Sequence, residues 1–164
     1  MPEGDGRPTD RMRAEHAKIR RQASGLAHAA SSVGSWSDDV RAELDGVRAF
    51  LAGLLVPHAA AEEAVLYPMM DKVMGVEQAT ATMAADHRAI QARATAVLDL
   101  IANVGAGPPT PPQAEAMREH LYGLWAIVDL HLDKEEEILF SILDERLTPA
   151  DVRTLMEKLE ESQQ

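Results

Sequence analysis

The chain has 164 residues, a formal charge of −11 and no cysteine. That length suits one domain with a sizeable core, and the charge argues against a nucleic-acid partner, whose phosphates need clustered Lys and Arg. The missing thiols exclude disulfides, thiolate metal sites and cysteine nucleophiles. Aromatic residues are only 4% while Ala, Leu, Met, Glu and Arg are frequent, which favours helices over sheets.

In chain order, residues 1–9 are rich in Gly, Pro and charge and are expected to form a disordered leader. They lack the apolar centre of a signal peptide. A first helix should open at Thr9 or Asp10, either of which can cap it. Its stripe of Met12, His16, Ile19, Ala23, Leu26, Ala30 and Val33 steps by four and three, the mark of one buried face. Gly34 to Ser37 make the turn, and Ser37 caps a second helix whose stripe is Val40, Leu44, Val47, Leu51, Leu54, His58, Glu62 and Val65. Pro57 should kink this helix and Pro68 bend or end it, with an extension to Met74 before Gly75. The third helix carries Met83, His87, Ile90, Ala94, Val97, Ile101 and Val104. Residues 105–112 (GAGPPTPP) form a loop by composition. The fourth helix carries Met117, Leu121, Leu124, Val128, His131, Glu135, Ile138 and Ile142, and Thr148-Pro149 opens a short last helix. The expected fold is all-α: an antiparallel up-down-up-down four-helix bundle over residues 10–145, with a fifth C-terminal helix in 146–164 packed on it. The longest uncharged apolar run, Ala49 to Ala61, is too short to span a bilayer. A cytoplasmic protein without a membrane partner is therefore the expectation, and the sequence sets no oligomeric state.

Polar residues interrupt these stripes in a repeating way. HAAAEEAVLYPMMD (58–71) and HLDKEEEILFSILD (131–144) lie 73 positions apart, and Glu15-His16 and Asp86-His87 lie 71 apart. In each His-x-x-x-Glu segment the two side chains differ by about 40° in azimuth and one turn in height, so one helix can offer both to a single site. Four histidines and two glutamates thus face the core from four helices. A buried carboxylate without a partner costs several kcal/mol, so a cation that neutralises both glutamates is the economical explanation. Imidazole and carboxylate donors without thiolate suit iron, manganese or zinc, and not calcium or magnesium. One zinc needs four ligands; six, split over two halves, suit two metals bridged by glutamates, with iron preferred.

His16, His58-x-x-x-Glu62, His87 and His131-x-x-x-Glu135 together resemble the hemerythrin-like (HHE cation-binding) family, a non-heme di-iron four-helix bundle. The resemblance covers residues 10–145, and Leu66-Tyr67-Pro68 and Ile138-Leu139-Phe140 after the paired acids fit its texture. It implies that His16 and His58 serve one iron, His87 and His131 the other, with Glu62 and Glu135 bridging beside an oxo or hydroxo group. Oxygen carriers of this family have a further His and an Asp where this chain has Gln91 and Glu136. The chain is similar to the six-ligand pattern of the repair-of-iron-centres proteins. Those proteins usually add a cysteine-bearing N-terminal segment, so without cysteine iron–sulfur repair is not expected.

With six protein ligands one position stays open on each iron, which favours redox turnover over reversible carriage. The expected ligand is a small oxidant (NO, hydrogen peroxide or O2), with an external electron donor if the protein turns over. The alternatives are a module that binds or senses O2 or iron without turnover, and a structural bundle that is metal-free or holds zinc. Other residues take smaller parts. Glu15 and Asp86 are candidates to orient neighbouring imidazoles, and Gln91 to hydrogen-bond a ligand. His120 and His28 lie off the site, and Met69, Met70 and Met74 are core filler. Tyr67 and Tyr122 project about 180° from the nearest ligand His on an ideal helix, which makes packing their default, and the kinks at Pro57 and Pro68 weaken that reading for Tyr67. Glu136 and Glu137 belong mostly to a solvated face, and the sequence leaves open whether Gln91, Glu63, Glu136 or Tyr67 enters the coordination sphere.

Overall fold

Local signals set the helix boundaries. The Ser37 side chain accepts a hydrogen bond from the Val40 amide at the start of α2 (Asp38–Met74), and Gly75, at φ 69°, closes that helix in the left-handed conformation. Thr110 and Gln113 form a capping box ahead of α4 (residues 111–146), which opens on a proline that has no amide to satisfy. With α1 (Asp10–Ser32), α3 (Ala81–Val104) and α5 (Pro149–Ser162), these are the elements of the computed structural model, which describes residues 6–162. No strand occurs among the described residues. Residues 1–5 of the expected leader lie outside the described residues, and Thr9 at its end is fully buried.

Thr9 does not cap α1 with its side chain as expected. Its amide and Oγ instead donate to Asp144 near the end of α4, at 2.9 and 3.0 Å. Thr80 does the same ahead of α3, donating to Asp71 near the end of α2 at 3.0 and 2.9 Å. A carboxylate from each half therefore holds the first turn of a helix from the other. No single helix shows this in its own sequence.

The two long helices are not uniformly α. Three stretches make i→i+5 hydrogen bonds: Leu51–Leu55 and Glu62–Leu66 in α2, and Glu135–Leu139 in α4. The first two sit just ahead of Pro57 and Pro68, where the ring would crowd the carbonyl of an ordinary α turn. The helix continues through both prolines to Met74. The third has no proline behind it, Ser141 standing where Pro68 does in the first copy. Each π turn adds a residue to one turn and moves the next buried apolar position one place later. Leu55 is buried where Leu54 was expected, Leu66 replaces Val65, and Leu139 and Leu143 replace Ile138 and Ile142; Ile138 is 51% exposed.

α1 packs along α2 and α4, and α3 packs along α4. α2 and α3 touch sparsely, and α5 lies against the π turn at Glu62–Leu66. By length and composition alone α2 could cross a membrane, unlike the shorter run read from sequence. Its large apolar residues Phe50, Leu51, Leu55, Leu66 and Met70 are buried in the bundle. The core has two apolar parts, one around Leu26, Leu51, Val97 and Leu124, the other around Leu66, Met70, Phe140 and Leu155. The polar residues of the four stripes fall between them.

Candidate metal centre

α1 brings His16, α2 brings His58 and Glu62, α3 brings His87, and α4 brings His131 and Glu135. All six side chains are buried. They form two overlapping groups, His16–His58–Glu62–Glu135 and Glu62–His87–His131–Glu135, with one donor atom from each residue within 4.8 Å of the others in its group. Both glutamates belong to both groups. His58 Nε2 lies 3.0 Å from Glu62 Oε1, His16 Nε2 3.4 Å from Glu135 Oε2, His87 Nε2 3.4 Å from Glu62 Oε2, and His131 Nε2 3.5 Å from Glu135 Oε1.

The other ring nitrogen of every histidine is held by an acid. His58 Nδ1 lies 3.2 Å from Glu15, His131 Nδ1 3.2 Å from Asp86, His87 Nδ1 3.1 Å from Glu63, and His16 Nδ1 3.2 Å from Glu136. An acid that accepts from Nδ1–H leaves the Nε2 lone pair facing inward, ready to coordinate. The Glu15 and Asp86 roles were among the sequence expectations. The Glu63 and Glu136 roles were not: each reaches a histidine of the other half, and Glu136 is not simply part of a solvated face. Gln91 is exposed and its side chain bonds Thr95 at 3.3 Å, away from the centre. His28 lies at the surface beside Glu43.

Tyr67 corrects the packing role expected for it. Its hydroxyl donates to Glu135 Oε1 at 2.7 Å and lies 3.1 Å from His87 Nε2 and 3.4 Å from His131 Nε2. The π turn supplies the reason. One extra residue between Glu62 and Tyr67 gives them the relation of an i,i+4 pair, turning the ring by about 100° toward the core. The second copy has Phe140 at this place, 4.9 Å from the His16 ring. One half of the centre therefore meets a hydroxyl and the other a hydrocarbon ring.

Two buried carboxylates among four imidazoles set the electrostatics of the centre. Burial alone would raise both glutamates, but the charge of His58 and a hydrogen bond from His16 hold Glu62 well below the usual carboxylate range. Burial and the nearby Glu62 charge push Glu135 well above it. Against the cost of burial, Glu62 and Glu15 raise His58 to about 10, whereas burial and His87 lower His131 to about 4. Chemically like groups are driven apart by burial and by one another's charges. Three inward atoms, His58 Nε2, Glu62 Oε2 and Glu135 Oε2, are buried without a hydrogen-bond partner. Imidazole nitrogens and carboxylate oxygens left so are donors for a borderline transition metal.

The family model described as "Hemerythrin HHE cation binding domain" matches residues 7–143. No curated protein and no solved structure matches the chain.

Proposed function

The chain belongs to the hemerythrin HHE cation-binding family, and on that premise we propose that its centre holds two iron ions and reacts with a small oxidant: nitric oxide, hydrogen peroxide or O2. The observation that carries this reading is the sharing of Glu62 and Glu135 between two donor groups, each completed by two imidazoles. That pattern supports a pair of cations bridged by both carboxylates. The short connections between α1, α2, α3 and α4 support an antiparallel up-down-up-down order, in which equivalent residues of the two halves meet at one level.

Bound iron would supply the electrons for reduction of the oxidant, drawn in turn from an external donor. The protein's own contribution is placement. Glu15, Glu63, Asp86 and Glu136 fix the four imidazoles, and the apolar residues above and below exclude bulk water. The Tyr67 hydroxyl faces the His87–His131 side, where it donates to Glu135 and stands within reach of a ligand bound there. The reduced, iron-loaded protein, mixed anaerobically with NO or peroxide beside an added reductant, should consume several equivalents of oxidant per chain. A stable O2 complex that forms and dissociates without net oxidation would instead assign it to carriage or sensing.

A further inference from the structure

The two halves of the centre are built alike but are not closed alike, and the difference is legible residue by residue. Offsets of 71 on α1 and α3, and of 73 on α2 and α4, relate the seam between α1 and α4 to the seam between α2 and α3. The first seam is sealed. Arg20 reaches across it to Asp129 at 2.5 Å and Asp133 at 2.6 Å, and Arg13 to Asp144 at 3.2 Å. The equivalents of Arg20, Asp129, Asp133 and Arg13 in the second seam are Gln91, Val56, Ala60 and Ala84. None of these can make an ion pair, and two are the smallest side chains available there.

Space appears where those side chains are lost. Two surface clefts of about 430 Å³ each lie along the α2–α3 seam. One is lined by Val56, Ala60, Gln91 and Ala92 and reaches His87; the other is lined by Ala84 and Asp71 and reaches Tyr67. Glu63 and Arg88 line both. Glu63 keeps 47% of its side chain exposed, against 27% for its equivalent Glu136. The remaining two seams are covered. Lys134 pairs with Asp86 across α3 and α4. Over α1 and α2 the last helix lays Leu159 beside Met12 and His58, leaving a void of only about 10 Å³.

We propose that the α2–α3 seam is the port through which small uncharged molecules reach the centre, arriving on the His87–Tyr67 side. The alanines and valine of its wall favour a neutral diatomic over a hydrated ion, and Glu63 and Arg88 at the lip carry opposite charges, so neither sign of ion is drawn in. The port gives the Tyr67 hydroxyl a meaning that Phe140 lacks, since it stands on the side where a ligand arrives. The inference rests on the metal reading for its purpose, but not for its geometry.

Two measurements test it. In the metal-free protein, dissolved O2 should enhance proton relaxation of the Tyr67 and His87 rings more than of the Phe140 and His16 rings; equal enhancement would overturn the port. In the iron-loaded, reduced protein, Ala60→Asp with Gln91→Arg rebuilds the sealed seam at two exposed positions, and Ala60→Phe plugs it without charge. Both should slow NO association by roughly tenfold or more at unchanged iron content, whereas Arg20→Gln with Asp133→Ala in the opposite seam should not slow it. Wild-type rates in both closed variants would refute the port and leave the metal reading intact. A wild-type chain that takes up no iron would refute the metal reading, and the relaxation measurement would still decide the port.

Discussion

His58 shows how much of the centre's behaviour resides in one proton. In the metal-free protein Glu62 and Glu15 raise its pKa from 6.5 to about 10. A raised pKa stabilises the fold fully below pH 6.5, and that contribution is lost as pH rises through 10. A metal must displace the proton, so affinity should strengthen between pH 6.5 and 9 by about tenfold per unit from this residue alone. Cobalt(II) titrations across that range, with proton release followed by calorimetry, check the slope; a flat profile would contradict it. Tyr67→Phe makes the two copies alike and removes the donor to Glu135. It should cost the metal-free protein about 1–3 kcal/mol in urea unfolding, and unchanged stability would mean the hydroxyl is not bonded as described. The six inward residues were legible in the sequence because each sits on a helical stripe whose period predicts its direction. Glu63 and Glu136 were not, because their histidine partners lie in the opposite half.

At the scale of the helix, the departures from expectation share one physical source. Stripes read at 3.6 residues per turn miss by one position at or just after the π turns, which is why Leu54, Val65, Ile138 and Ile142 were expected inside, while His58 and Glu62 beyond the first π turn face inward as read. Prolines 57 and 68 announced an irregularity of α2, though not its form. Nothing in Glu135–Leu139 announced the third, which lies next to the centre, where such turns recur. Ile138 and Leu139 separate the two geometries. With the π turn, Ile138→Lys should change stability by no more than about 0.5 kcal/mol, whereas Leu139→Ala should cost about 2–5 kcal/mol. A regular α-helix through the segment would reverse the order, and thermal unfolding of both variants reads which holds.

Taken whole, the molecule is a doubled helical pair with a polar layer between two apolar clusters. That much follows from the periodicities and the repeat of His-x-x-x-Glu, and the family match over residues 7–143 agrees with it. How the repeat is broken was not legible, because it depends on which helices face each other. Arg20 against Gln91 and Phe140 against Tyr67 read from sequence only as a charge and two aromatics, and α5 as a helix packed on the bundle without a stated place. Each acquires a consequence once the seams are known. The most direct test of the central claim is metal stoichiometry, measured with the optical spectrum on the wild type and on Glu62→Ala after aerobic loading with iron. Two irons per chain with near-ultraviolet absorption of a bridged ferric pair, falling to one or none in the variant, is the predicted result. A wild type that holds fewer than two, or a variant that keeps both, would contradict a centre bridged by Glu62.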